Sequence, residues 1–206
     1  MQTSLQSFLD ELAGGAPTPG GGSAAAVMGA MGAALLSMVC NVTLSKKGQE
    51  AVQPDMQALL DESEPLRARL TAMVAEDIAA FNGLMAAYRL PKGSDEEKSL
   101  RSRAIQSNLR AATETPLACA RACAQVVMLA RRAADKGFAG VISDAGVGVL
   151  AANSALRSAA LNVYINAPSL KDRDYALAAG AELEKLLEQC ARESEAVFAL
   201  VRSRLG

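Results

Sequence analysis

Between Glu11 and Lys46 the chain carries no charged residue. A run of that length can cross a bilayer, so it belongs either in a membrane or in a protein core. Its make-up points to the core. The residues are mostly Ala, Gly and Met, and Pro17 and Pro19 interrupt the first third. The chain opens MQTSLQSFLDELAGG, without the basic start and continuous apolar stretch of a signal peptide. Ala26, Gly29, Ala30, Ala33 and Ser37 recur every three or four positions, which lets neighbouring helix backbones approach closely. Gly20 to Ser45, GGGSAAAVMGAMGAALLSMVCNVTLS, therefore reads as a helix apolar on nearly every face and buried.

The rest of the composition agrees. With 206 residues the expectation is one domain, 1–206. Half the residues are apolar, yet there are only four Phe, three Tyr and no Trp, and the Ala-rich remainder suits helices. The formal net charge is −1 with both signs interspersed, so neither a nucleic-acid face nor an acidic tail is expected. There is no histidine. That removes Ser-His-Asp and Cys-His mechanisms and the common His-containing zinc sites, and leaves acid and base work to Asp, Glu, Lys, Tyr or Cys. Cys40, Cys119, Cys123 and Cys190 sit in apolar segments and read as small core thiols of a cytoplasmic protein, with no metal.

Along the chain, Thr3 and Gln6 have the spacing of a capping box, and Gly14-Gly15 ends a short helix with Leu5, Phe8, Leu9 and Leu12 on one face. APTPGGGS then delivers backbone amides to the start of the Gly20–Ser45 helix, either as a cradle for an anion or as a loop that needs glycine for its geometry. Ser37, Asn41 and Ser45 form a polar stripe, and Lys46 and Lys47 stand at the end as a solvated cap or as ligands. From Asp55 to Leu90 a helical pattern places Leu66, Leu70, Met73, Asp77, Phe81, Leu84 and Tyr88 on one face, with a start or kink at Pro65. Asp77 occupies an apolar position. A carboxylate there is paired, protonated or functional, because a bare buried charge costs several kcal/mol. Glu76 points elsewhere, to solvent.

Ser94 and Glu97 form a second capping box, opening a helix to about Thr113; Pro116 opens a new helix or kinks this one, and Lys136-Gly137 stops it. From Gly137 to Leu170 only Asp144 and Arg157 are charged, which makes this the second buried rod. Ser143 and Asp144 lie at its start, as a cap or as functional groups. Ser158, Asn162 and Asn166 repeat by four, and Asn153 with Arg157 forms another such pair. Asp172 caps a last helix with Leu183, Leu187, Cys190, Ser194, Val197 and Val201 inward. The expectation is an all-α, up-and-down-like bundle of six to eight helical segments around two Ala/Gly-rich central helices, which periodicity allows to pack within one chain or against a second.

PTPGGGSAAA, GAMGAALLSMVCNVT followed by KK, VAEDIAAF, LPKGSDEEK, TETPLACA, VISDAGVGVL and LRSAALNVYINA together resemble the cyclodeaminase/cyclohydrolase family, the C-terminal domain of formiminotransferase-cyclodeaminase, and in particular its stand-alone bacterial methenyltetrahydrofolate cyclohydrolases. The resemblance runs from about Ser4 into the last helix, and the chain lacks the formiminotransferase portion. It implies an all-helical fold and a homodimer with a folate cleft at or near the subunit interface. It also implies a small-molecule folate substrate and no metal or redox cofactor. A cyclohydrolase adds water to 5,10-methenyl-tetrahydrofolate; a cyclodeaminase closes 5-formimino-tetrahydrofolate with loss of ammonia; from a different class, a non-catalytic folate-binding or dimerisation module retains the scaffold without turnover.

By the same resemblance Asp77 and Asp144 are the central carboxylates, one as base beside the cationic one-carbon unit and the other orienting or relaying protons. Asn162 and Asn166 match the family's Asn-Val-x-x-Asn and orient water or the pterin edge. Gly20, Gly21, Gly22 and Ser23 offer amides and a hydroxyl to the ligand. Asn41 and Ser143 stand with this binding set, and Lys46 or Lys47, with Arg157, holds the glutamate carboxylates of the folate.

Overall fold

The structure is a computed structural model and describes residues 4–205. Six α-helices follow one another: α1 (Leu5–Leu12), α2 (Gly21–Ser45), α3 (Gln53–Tyr88), α4 (Asp95–Lys136), α5 (Ile142–Asn166) and α6 (Arg173–Leu205). Single 3₁₀ turns at Glu50–Val52, Ala139–Val141 and Ala167–Ser169 make the connections, and no strand occurs among the described residues. The all-α expectation holds.

Both apolar rods lie where their composition places them. α2 packs chiefly on α3 and α5, with α4 beneath, and α4 in turn contacts α3, α5 and α6. Ala25, Ala26, Ala33, Leu36, Val39 and Cys40 of α2 meet Ala145, Val149, Ala152, Ala155 and Leu156 of α5 in one core. Small residues set the spacing. A Cβ on Gly32 would stand 2.9 Å from the Gly148 carbonyl oxygen and 3.1 Å from Ala152 Cβ. Gly21, near the other end of α2, faces Asn162. The two rods are therefore antiparallel. Among the described residues three helical stretches, Gly21–Ser45, Glu50–Tyr88 and Ala139–Ser169, are long and apolar enough to cross a membrane; the first and third bury about half of their apolar window inside the fold, the second much less.

Gly32 yields an expected result. In an open helix position Ala is better than Gly by about 1 kcal/mol. Gly180 in α6, whose Cβ would meet nothing within 4 Å, is such a position, so Gly180→Ala should raise stability by about that amount. Overpacking at a closed site costs typically 1–3 kcal/mol. Because backbone blocks Gly32, Gly32→Ala should instead lower stability, and urea denaturation of both variants reads the opposite signs.

Several boundaries differ from expectation. Thr3 lies outside the described residues; α1 is capped by Ser4, whose Oγ accepts from the Ser7 amide at 3.1 Å, and Gln6 binds Asp10. α1 buries none of its residues, and Leu5 and Leu9 are exposed. Ser143 and Asp144 do not cap α5: they sit in its first turn, after Val141, which makes no side-chain cap bond. Pro65 and Pro116 interrupt nothing, since α3 and α4 run through them. Glu76 is paired with Arg69 rather than merely solvated.

Other expectations hold. Ser94 and Glu97 form both halves of the capping box, and Asp172 accepts from the Tyr175 amide at 3.0 Å. Cys40, Cys119, Cys123 and Cys190 are free and buried. Burial pushes the Cys40 and Cys190 thiols up to about 11, which keeps them protonated at neutral pH.

A polar cluster that periodicity does not announce ties α4 to α6. Arg121 bridges Glu114 and Glu182 at 2.5 and 2.6 Å, and the Tyr175 hydroxyl donates to Glu114 at 2.6 Å. Burial and this carboxylate together push the Tyr175 phenol up to about 12.

Candidate active site

Asp77 interrupts the apolar stripe of α3 because its partners lie on α2. Ser23 Oγ, fully buried, donates to Asp77 Oδ2 at 2.7 Å. Gly22 makes room: a Cβ there would stand 2.1 Å from Asp77 Oδ1. The chain thus needs glycine at this point for a close approach. Gly20 is the N-cap of α2 and supplies no side-chain cap. The first N–H groups of the helix have no partner within it, and this positive end of α2 favours a nearby anion.

Above Asp77 opens a cleft of about 380 Å³ between α3, α4 and α5. Phe81, Leu84 and Tyr88 line one wall, and Thr115, Asn162 and Asn166 provide its polar groups. Beneath the carboxylate, Ala26, Met73 and Cys119 close the floor around a space of about 10 Å³, room for one water at most. The site is an apolar slot with one carboxylate at its base and amides at its rim. A larger groove of about 640 Å³ lies elsewhere, over α4 beside α6; its charged residues Arg121 and Glu62 are already in ion pairs.

Asn166 has a second task. Pro116 lacks the N–H that would have reached the Ala112 carbonyl four residues earlier in α4. Asn166 Nδ2 donates to that oxygen at 2.8 Å instead. This substitution explains why α4 continues through a proline, and it commits Asn166 Nδ2, leaving its Oδ1 to the cleft. Asn162 Nδ2 similarly donates to the Ser158 carbonyl at 3.0 Å. Removing the Asn166 amide leaves a carbonyl unpaired at a cost of about 1–3 kcal/mol. Asn166→Ala should lose that much stability in thermal or urea unfolding. Adding Pro116→Ala, which restores a backbone donor, should recover most of it.

The expected constellation is divided. Gly20, Gly21, Gly22, Ser23, Asp77, Asn162 and Asn166 come together at one end of α2. Asn41, Lys46, Lys47, Ser143 and Asp144 lie toward the other, because α5 runs antiparallel to α2. At 1.5 Å per residue, Asp144 stands about 27 Å along α5 from Asn162. Asp77 and Asp144 therefore lie apart within one chain. Asn41, Lys46 and Lys47 are exposed, with Lys46 5.3 Å from the Phe138 ring centroid. Arg157 is exposed on α5, and Asn153 Oδ1 is buried without a partner, so the expected Asn153–Arg157 pair does not form.

Thr115 joins the site without having been singled out, and Tyr88, expected only on the apolar face of α3, lines it as well. The signal available was Pro116 itself, a proline within a helical pattern and next to Thr115. Among the described residues no three His, Cys, Asp or Glu side chains converge as a metal-binding set.

Comparison with known proteins places this arrangement. The family profile described as Formiminotransferase-cyclodeaminase matches residues 4–185. The methenyltetrahydrofolate cyclohydrolase of Methylorubrum extorquens is 52% identical over 202 residues, covering 98% of this chain and 97% of that protein. The formimidoyltransferase-cyclodeaminase of Mus musculus is 30% identical over 99% of this chain, which spans only 38% of the mouse protein. The crystal structure of formiminotetrahydrofolate cyclodeaminase from Thermotoga maritima superposes with a TM-score of 0.80 at 28% identity, covering 99% of this chain and 96% of that one.

Proposed function

The chain belongs to the formiminotransferase-cyclodeaminase family, and from that premise we propose that it is a methenyltetrahydrofolate cyclohydrolase, a hydrolase of cyclic amidine C–N bonds in one-carbon metabolism. It adds water to 5,10-methenyl-tetrahydrofolate and opens the ring to 10-formyl-tetrahydrofolate. The observation that carries this reading is the placement of Asp77 at the base of an apolar cleft, held by Ser23 and Gly22. Full-length similarity to the Methylorubrum cyclohydrolase supports it over ammonia release.

The chemistry follows from the substrate. Its bridging carbon is the centre of a cationic amidinium, so it is already electrophilic and needs no metal or redox cofactor. A carboxylate beside that carbon balances the charge and accepts a proton from the attacking water. The Ser23 hydroxyl holds one carboxylate oxygen, leaving the other for the water. Thr115 and the free Oδ1 atoms of Asn162 and Asn166 orient water and the pterin edge. In the breakdown of the tetrahedral carbon the C–N5 bond breaks, N5 takes the proton that Asp77 had accepted, and the formyl group stays on N10; the hydroxyl proton goes to solvent as its oxygen becomes the formyl carbonyl. Phe81 and Tyr88 supply flat apolar surface for the ring systems.

The active form is a cytoplasmic homodimer, bound to neither nucleic acid nor membrane. Met31 of α2 and Val147, Leu150 and Leu161 of α5 are exposed; the three α5 residues share one side of that helix by their spacing, with Ser154 and Arg157 exposed between them. In a two-fold pairing each residue faces its counterpart across the axis. An axis near Met31, midway along α2, carries the Asn41 and Asp144 end of each copy toward the Gly21 and Asp77 end of the other. Asp144 then serves the second copy's cleft.

The test is loss of the near-ultraviolet absorbance of 5,10-methenyl-tetrahydrofolate, corrected for spontaneous hydrolysis. Enzyme-dependent loss is expected. No loss above background, with ammonia released from 5-formimino-tetrahydrofolate, would replace this reading by cyclodeaminase; neither activity would leave a folate-binding or dimerisation module.

A further inference from the structure

We propose that the cleft continues into an anion subsite at the turn between α3 and α4, where Lys92 and Arg101 hold the glutamate carboxylates of the folate. This rests on the cyclohydrolase reading and assigns the tail to residues other than Lys46 and Lys47. A cavity of about 300 Å³ there is lined by Lys92, Lys98, Arg101, Ile105 and Gln106. It adjoins the Asp77 cleft through shared structure. Arg101 donates to the carbonyl of Tyr88, at 3.1 Å from Nη2, and lies 6.0 Å from the ring of Tyr88; that residue lines the cleft. Gln106 donates to the carbonyl of Ser169, another lining residue, at 3.2 Å. Ile105 packs on Leu84 and Leu109 below both spaces.

The charges are available. Among the described residues neither Lys92 nor Arg101 is in an ion pair, and Lys171, nearby, binds only the Ser102 hydroxyl through its ammonium group. The local carboxylates are mostly engaged: Asp95 pairs with Lys98, Asp172 with Arg110, and Glu97 accepts the Gly93 and Ser94 amides. Glu96 is exposed.

Reach also agrees. From Asp77 to Tyr88 is about 16 Å along α3, a gap that a p-aminobenzoyl ring, one amide and an extended glutamate cover. Further γ-linked glutamates would run over Arg101 and Lys92 toward Lys98. Lys46 lies roughly 38 Å from Gly21 along α2, beyond the reach of a tail in the same chain; the second copy's Lys46, which the two-fold pairing carries toward this end, is tested by the Lys46→Gln/Lys47→Gln variant.

The experiment compares intact protein with the double variant Lys92→Gln/Arg101→Gln, using mono- and triglutamate forms of 5,10-methenyl-tetrahydrofolate. Circular dichroism checks folding, and Arg101→Lys serves as the conservative variant. Losing two charge-assisted contacts should raise the triglutamate KM roughly tenfold at low salt, leave kcat unchanged and abolish the preference for the longer tail. The contrast should shrink as salt rises. Arg101→Lys should retain part of the preference. An unchanged KM and tail preference in the double variant overturns the proposal, as does a preference lost from Lys46→Gln/Lys47→Gln instead. Calorimetric binding of 5-formyl-tetrahydrofolate mono- and triglutamate is read independently of turnover. Tail-dependent binding that the double variant loses supports the subsite even if the intact protein proves inactive; absence of folate binding by intact protein overturns both readings.

Discussion

Asp77→Asn should reduce turnover of 5,10-methenyl-tetrahydrofolate by three orders of magnitude or more while leaving the fold intact. The substitution is nearly isosteric, and the Ser23 hydroxyl can still donate to the remaining carbonyl oxygen. What disappears is charge and basicity. A positioned general base contributes typically 10²–10⁴-fold, and removing one preorganised electrostatic contact costs about 10²–10³. Asp77 carries both tasks in this site, so the loss should lie near or above the upper end of either alone. Single-turnover absorbance decay, with circular dichroism on the same sample, reads the effect. A folded variant with activity within tenfold of the intact protein would remove Asp77 from the chemistry.

The second large effect belongs to Asp144. Within one chain it is a first-turn acidic residue of α5, worth about 0.3–1 kcal/mol to the helix, and far from the cleft. If that were its whole role, Asp144→Asn would leave turnover unchanged. The two-fold pairing across α2 and α5 instead makes Asp144→Asn severely impaired in homodimers. Co-refolding it with Asp77→Asn then restores activity. In a mixed dimer one of the two clefts receives wild-type residues from both copies, and random pairing makes half the dimers mixed. About a quarter of the intact activity should return, from two inactive proteins. Full activity of Asp144→Asn, or no recovery on mixing, would break the shared-site arrangement.

These two residues also mark what sequence reading reaches. Asp77 stood out because it breaks an apolar stripe, and a stripe is local information. Gly22 and Ser23 were singled out with the glycine run, although their contact with Asp77 depends on how α2 lies against α3. Asp144 also stands in an apolar context, but its pairing with Asp77 comes from the family resemblance. Helical periodicity fixes which face of a helix a residue occupies, but not which end of its neighbour it meets. The antiparallel course of α5 along α2 separated them. Backbone chemistry alone makes Pro116 either the start of a new helix or a kink in the old one. The donor that replaces its missing N–H comes from Asn166, a whole helix later, and no local window contains both.

The Ala and Gly that line the contact of α2 with α5 have a thermal consequence. Such residues surrender little rotamer freedom when buried and expose little apolar surface when the chain unfolds. The apolar-burial term of folding is thereby small in this part of the core, while each glycine adds its own backbone entropy cost. The heat-capacity change on unfolding scales with apolar exposure, so it should be lower per residue than in a Leu-rich bundle, with a correspondingly shallower dependence of stability on temperature. A cleft held by this scaffold keeps its geometry over a wide thermal range through close backbone contact rather than through bulk.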